Sequence, residues 1–85
     1  MKKIIITPDY AYIHLHKNLY SEQAIINAQK DFNELISISK KDYMNYTTIK
    51  ITPRTKDFDT KTLTNEFLNF IIAHEFHIIS QENES

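Results

Sequence analysis

The segment LTNEFLNFIIAHEFHII, residues 63–79, is the longest apolar stretch in this chain and contains neither glycine nor proline. Its apolar residues recur three and four positions apart, which predicts a long helix. They form two stripes on roughly opposite sides, whereas a surface helix of a monomer needs only one. We therefore expect this helix either to be sandwiched within its own fold or to dock on a second chain. The first stripe is Leu63, Phe67, Phe70, Ile71, His74 and Ile78, and the second is Leu68, Ile72, Phe76 and Ile79.

The second stripe is the predicted interface of the protein, either with a second copy or with a larger partner. A chain of 85 residues buries only about 60% of its unfolded surface, and oligomerisation often stabilises such small domains. Burying Leu68, Ile72, Phe76 and Ile79 would contribute several kcal/mol before the costs of association. We expect a homodimer, and burial of the stripe within the monomer is the alternative.

The composition excludes several classes of protein. Ten basic residues against eleven acidic ones leave a net charge of -1, which argues against a general nucleic-acid binder. The absence of cysteine excludes disulfides, thiolate metal sites and thiol nucleophiles. The absence of glycine removes Gly-rich phosphate loops and leaves turns to Asn, Asp and Pro.

Neither a signal peptide nor a membrane span is predicted. The apolar run at residues 4–6 ends at Thr7-Pro8-Asp9, and polar residues interrupt the long helix. We expect one cytoplasmic domain over residues 1–85, without membrane contact and with a frayed tail at residues 80–85.

The remaining elements follow from periodicity, caps and turn residues. Residues 2–7 and 10–17 are predicted strands around a Thr7–Tyr10 turn, and whether they pair is open. Ser21 caps a predicted helix over residues 22–33. A short strand at 35–39, a polar connector at 40–45 and a strand at 46–52 follow, and Asp59 caps the long helix.

This order of elements predicts a small α+β two-layer sandwich. Both helices are expected on one face of a three- or four-stranded mixed sheet, in the order (β)βαββα. The other face would carry Tyr10, Tyr12, His14, Tyr46, Thr48 and Lys50, and it is too aromatic for an ordinary solvated surface.

We predict that Tyr10, Tyr12, Tyr46 and Lys50 on this face bind an extended peptide. Two alternatives are ordinary packing of aromatic residues across the sheet and stacking of single-stranded bases, in which Tyr43 would also take part. The lack of a basic excess disfavours base stacking and a nucleic-acid partner.

Four histidines are the candidate metal ligands, although we predict no metal site and no cofactor. His14 and His16 share one strand face, and His74 and His77 lie on neighbouring turns of the long helix. If the helices cover the opposite face of that strand, the two pairs could meet only across a dimer. The HEFH sequence at residues 74–77 has the wrong spacing for a metalloprotease, and no nucleophile or carboxylate pair is apparent. We therefore predict no catalytic residues and no enzymatic activity.

Three segments resemble the HxsD family. They are residues 19–25 (LYSEQAI) with Ala28 and Phe32, residues 49–53 (IKITP), and Leu63 with residues 66–69 (EFLN). The resemblance spans roughly residues 13–75. Members of this family are small proteins encoded with radical-SAM enzymes of the His-Xaa-Ser peptide-maturation system. The resemblance implies an accessory role in modifying a ribosomally made peptide, without catalytic residues.

The predicted function is therefore that of a non-catalytic adaptor, which binds a precursor peptide or its radical-SAM enzyme. Two alternatives from other classes remain open. One is a small histidine-rich metal-binding protein, and the other is a dimeric regulatory module of the antitoxin type.

Overall fold

Four strands and two helices make up the computed structural model, which describes the backbone of residues 3–83 and the side chains of residues 3–75. The strands form one sheet in the order β1-β2-β4-β3. Both helices pack on the same face of this sheet, so the expected α+β architecture is confirmed. In chain order the elements are β1 (Lys3–Ile6), β2 (Ala11–His16), α1 (Glu22–Phe32), β3 (Ile36–Tyr43), β4 (Tyr46–Pro53) and α2 (Thr60–Asn83).

Every strand pairing in the sheet is antiparallel, rather than mixed as expected. β2 and β3, which flank α1, do run in the same direction, but β4 lies between them. The β3–β4 hairpin thus places its second strand against β2. In this register Ile49 lies opposite Ile13 and Ile51 opposite Ala11, which concentrates the most apolar positions at the centre of the sheet.

β1 and β2 form a hairpin, which answers the question that the sequence left open. Thr7 closes its turn in place of a glycine. The Thr7 N–H and hydroxyl both donate to the carbonyl of Tyr10, at 2.8 and 2.9 Å. The hydroxyl oxygen also accepts from the N–H of Tyr10 at 3.1 Å. A threonine thus supplies the turn-forming hydrogen bonds of the kind that short polar side chains provide.

The predicted connector at residues 40–45 is wrong, because β3 continues to Tyr43 and pairs with β4 along its whole length. Only Met44 and Asn45 form the turn, and Met44 has a positive φ of 52°. Asp42 lies opposite Thr47, whose hydroxyl donates to the Asp42 carboxylate at 2.9 Å. The polar composition of this segment reflects an exposed strand at the sheet edge rather than a loop.

Helix α1 begins at the predicted cap. The Ser21 hydroxyl oxygen accepts from the N–H of Ala24 at 3.2 Å. Ala24 and Ala28 are buried, and their small side chains allow α2 to approach closely. At the far end of α1, the ring of Phe32 packs edge-on against Phe67 at a centroid distance of 5.7 Å.

Helix α2 also begins as predicted, with the Asp59 carboxylate accepting from the N–H of Thr62 at 2.7 Å. The hydroxyl of Thr60 donates to the Pro8 carbonyl at 2.7 Å and ties the start of α2 to the β1–β2 turn. The helix continues to Asn83, into the segment 80–85 that we expected to be frayed, and residues 84 and 85 lie outside the described residues.

The hydrophobic core lies between the sheet and the two helices. Leu68, from the second stripe, is part of it, together with members of the first stripe. No helix in the described part of the chain combines the length and the apolar character that a membrane crossing requires. The core residues are Ala11, Ile13, Leu15, Ala24, Ile25, Ala28, Ile36, Ile49, Ile51, Leu63, Phe67, Leu68 and Ile71.

Candidate functional site

The face of the sheet opposite the helices is the candidate site, and we refer to it as the outer face. Residues paired across neighbouring strands point to the same side of a sheet, so the register defines its members. All of them are half-buried or exposed, whereas most residues on the inner face of β2 and β4 are buried. The outer face consists of Lys3, Ile5, Tyr12, His14, His16, Ser37, Ser39, Lys41, Tyr43, Tyr46, Thr48, Lys50 and Thr52.

One end of the outer face holds a cluster of two tyrosines and a lysine. Lys50 lies directly opposite Tyr12. Its ammonium nitrogen is 5.1 Å from the ring centroid of Tyr10 and 5.8 Å from that of Tyr12. The two rings meet edge to face at 5.4 Å. Since aromatic faces attract cations at these distances, the rings hold the ammonium group in place. The structure thus brings together three of the four predicted peptide-binding residues.

The fourth predicted residue, Tyr46, belongs to a separate cluster at the other end of the face. It lies opposite His16 on β2 and opposite Tyr43 on β3. Its ring packs edge-on against the His16 imidazole at 5.1 Å. Between the two clusters, the Thr48 hydroxyl forms a hydrogen bond of 2.9 Å with Nδ1 of His14. The outer face is therefore a continuous aromatic and polar surface along β2 and β4.

The sheet has two edges, β1 and β3. β3 spans eight residues, and most of its side chains are exposed. β1 spans only four residues. An edge strand carries backbone N–H and C=O groups that can pair with an added strand, so the longer edge offers the larger template.

A cleft of about 440 Å³ opens beside the N-terminus of α1. Sequence reasoning missed it because its lining comes from separate segments of the chain. Three of its charged and polar side chains contact one another. Lys17 lies 3.9 Å from the Asp42 carboxylate, which also accepts from Thr47, and the Ser21 hydroxyl caps α1. The lining residues are Lys17, Tyr20, Ser21, Glu22, Ile25, Lys40, Asp42 and Thr47.

The residues of the predicted interface stripe on α2 differ in burial. Leu68 is 3% exposed and belongs to the core, so its place in a surface interface is corrected. Ile72 is 41% exposed. The side chains of Phe76 and Ile79 lie outside the described residues. Leu68 and Ile72 lie four positions apart in α2, and of the two only Leu68 belongs to the core cluster.

The candidate metal ligands do not come together in the described part of the chain. His14 and His16 lie on the outer face, whereas His74 lies on the helical side and its Nε2 is 2.7 Å from Nδ2 of Asn27. The His77 side chain lies outside the described residues. Among the described side chains, no group of three or more His, Asp or Glu is placed to hold a metal ion.

A polar contact between the two helices was not predicted from the sequence. The Glu75 carboxylate accepts from the backbone N–H of Ser21 at 3.0 Å. This hydrogen bond joins α2 to the capping residue of α1. It spans 54 positions in the chain, so no local pattern could have indicated it.

A search against protein-family models found no match, and neither did searches of curated proteins and of solved structures. The resemblance to the HxsD family therefore remains a prediction that rests on the residues quoted above.

Proposed function

We propose that this protein is a non-catalytic adaptor that holds an extended peptide on the outer face of its sheet. The observation that carries the proposal is the cluster of Tyr10, Tyr12 and Lys50, which lies on the side away from both helices. Aromatic side chains supply large contact areas at low entropic cost, which suits them to binding surfaces.

An extended peptide matches this surface in geometry. Its side chains alternate between two sides with the same period as the strands of the sheet. Added along the β3 edge, it would gain backbone hydrogen bonds, and its side chains would reach across the outer face. Alternate side chains would then determine which peptide binds.

The pathway in which the adaptor acts is proposed from the resemblance to the HxsD family. In that setting the partner is a precursor peptide or its radical-SAM enzyme, and the protein acts in the cytoplasm without a cofactor of its own. A gene for a radical-SAM enzyme and a gene for a His-Xaa-Ser precursor beside the gene of this protein would support this setting.

We also propose that the adaptor is a homodimer. The support is Ile72, a large apolar side chain that α2 leaves exposed. Since the outer face and α2 lie on opposite sides of the molecule, dimerisation through α2 would leave the outer face free.

The experiment that tests peptide binding is an NMR titration of the isotope-labelled protein with a synthetic peptide that contains a His-Xaa-Ser sequence. We expect shifts confined to β2, β4 and an edge strand. Tyr12→Ala should weaken binding about fivefold or more, since aromatic residues at the centre of an interface contribute most of its energy.

The matched control is Phe58→Ala, which removes an exposed aromatic ring from the connection between β4 and α2. This variant should bind the peptide as tightly as the wild type. Shifts confined to the helices, or equal losses in both variants, would contradict the proposal.

A further inference from the structure

All charged side chains on the outer face have the same sign. Lys3, Lys41 and Lys50 occupy outer-face positions, and no strand places an Asp or Glu there. The whole chain has a net charge of -1, so the residues outside this face carry a net charge of -4. Charge is therefore unevenly distributed between the outer face and the rest of the chain. A surface of one sign attracts partners of the opposite sign.

Lys50 is the lysine of this positive surface that lies away from both sheet edges. It belongs to β4, an inner strand, with Tyr12 opposite on one side and Ser39 on the other. In the described part of the chain, the ion pair joins Lys17 to Asp42 at 3.9 Å. No described carboxylate forms such a pair with Lys50. Its ammonium group is thus fixed by two aromatic rings, and its charge is left uncompensated.

The other two lysines extend the positive surface to both edges of the sheet. Lys3 on β1 and Lys41 on β3 end the same cross-strand row, which also contains His14 and Thr48. That row is adjacent to the row of Lys50. A strand added at either edge would therefore meet a lysine first, and one added at β3 would lie two strand spacings, about 10 Å, from the strand of Lys50.

We infer that the outer face selects an acidic peptide, whose Glu or Asp side chains at alternate positions lie on the same side of the sheet as Lys41 and Lys50. This inference rests on the proposed function and names the chemical class of the peptide. Carboxylates accept hydrogen bonds from ammonium groups. Because side chains alternate along a strand, every second side chain of an extended peptide would lie on the same side of the sheet as the outer face.

The geometry favours an acidic peptide over a single-stranded nucleic acid. Base stacking needs open aromatic faces. Here the ammonium group of Lys50 lies over the rings of both Tyr10 and Tyr12. A polyanionic backbone would also be repelled by the acidic remainder of the molecule, whereas a short peptide with a few carboxylates would contact the outer face alone.

The test compares two fluorescein-labelled peptides of equal length, one made of alternating Thr and Glu and the other of alternating Thr and Gln. Binding is measured by fluorescence anisotropy. At about 50 mM salt, where screening is weak, we expect the Glu peptide to bind about tenfold more tightly. The preference should shrink at about 300 mM salt because the Debye length falls.

Two lysine variants show whether Lys50 is responsible for the preference for the Glu peptide. Lys50→Gln should reduce the preference for the Glu peptide about threefold, the effect of one exposed charge pair. The matched control is Lys56→Gln, which removes the same charge from the connection between β4 and α2 and should leave the preference unchanged. Circular dichroism spectra of both variants establish that the fold is retained.

The outcomes separate this inference from the proposed function. Equal binding of the two peptides, or a loss in both variants alike, would overturn the acidic preference and leave the adaptor in place. The same holds if neither peptide binds but the His-Xaa-Ser peptide of the NMR titration shifts the resonances of the outer face. Failure of all three peptides would remove both proposals. Tighter binding of a labelled oligothymidylate through Lys50 would replace the acidic peptide by a nucleic acid.

Discussion

Two buried threonines of α2 show how a single hydrogen bond can affect the stability of this small protein. Thr60 and Thr64 are both buried and lie one turn apart in α2. The Thr60 hydroxyl donates to Pro8, whereas the Thr64 hydroxyl has no hydrogen-bond partner among the described atoms. The same side chain therefore has opposite effects on stability at the two positions.

Replacing Thr64 by Val should stabilise the protein by about 1 kcal/mol, because the change removes an unsatisfied buried hydroxyl without altering the shape of the side chain. Urea denaturation measures the free energy of unfolding. The control is Thr60→Val, which should destabilise the protein by about 1 kcal/mol through loss of its hydrogen bond. A loss of stability in Thr64→Val would indicate that the hydroxyl has a partner.

The ionisation of Asp59, the residue that caps α2, makes the stability of the fold depend on pH. Hydrogen bonds from the hydroxyl and the backbone N–H of Thr62 lower the pKa of Asp59, and Lys61 contributes in the same direction. A lowered pKa in the folded state means that the charged carboxylate stabilises the fold above its unfolded pKa. That stabilisation is lost as the pH falls through the folded pKa.

We therefore expect Asp59→Asn to be less stable than the wild type at neutral pH, with a difference that shrinks as the solution becomes acidic. Thermal unfolding at a series of pH values measures this. Asp57→Asn, which removes the same charge two positions earlier, is the control and should show no such convergence. A constant difference across the acidic range would contradict the role of the Asp59 charge.

At the scale of elements, the β3–β4 hairpin departs furthest from expectation. Its two-residue turn places Met44 at a φ of 52°, in a chain that has no glycine. Left-handed backbone costs a side-chain-bearing residue about 1 kcal/mol. The long cross-strand pairing of β3 and β4 offsets this cost, since it adds backbone hydrogen bonds along eight residues.

Met44→Gly should stabilise the hairpin by about 0.5 to 1 kcal/mol, because glycine adopts a positive φ without steric cost. Asn45→Gly is the matched control, since Asn45 has an ordinary negative φ, and it should give no gain. The free energies of unfolding of the two variants measure the difference. Equal effects at both positions would show that the turn is not strained.

The elements whose type and start were predicted correctly are those with local signals. Ser21 and Asp59 cap α1 and α2 as expected, because a cap depends on residues only three positions apart. Strand β4 was recognised from the alternation of Thr47, Ile49 and Ile51, which are all buried. The end of β3 was missed because its exposed residues lack such alternation.

For the whole molecule, the two layers create two surfaces with different chemistry. The outer face carries lysines, tyrosines and histidines, whereas the helical side carries exposed apolar side chains such as Ile72. A small domain with both surfaces can bind one partner on each side. The proposed homodimer and the proposed binding of a peptide are therefore compatible.

The dimer is tested by the solution mass of the wild type and of Ile72→Asp, measured by light scattering on a sizing column. We expect a wild-type dimer and a folded monomeric variant, because the aspartate would place a charge in the interface. Leu68→Ala is the contrast, and it should lower the free energy of unfolding by about 3 kcal/mol because it opens a cavity in the core. A monomeric wild type would contradict the homodimer.

The sequence by itself determined the order and type of the helices and strands, though not the end of β3, since caps and periodicity act within a few residues. Only the tertiary structure decided the order of the strands, the burial of Leu68 and the contact of Lys50 with the ring of Tyr10. These features depend on contacts between residues that are distant in the chain. Two stripes of equal hydrophobicity cannot reveal which one the core will cover, because that choice is made by the packing of other elements against the helix.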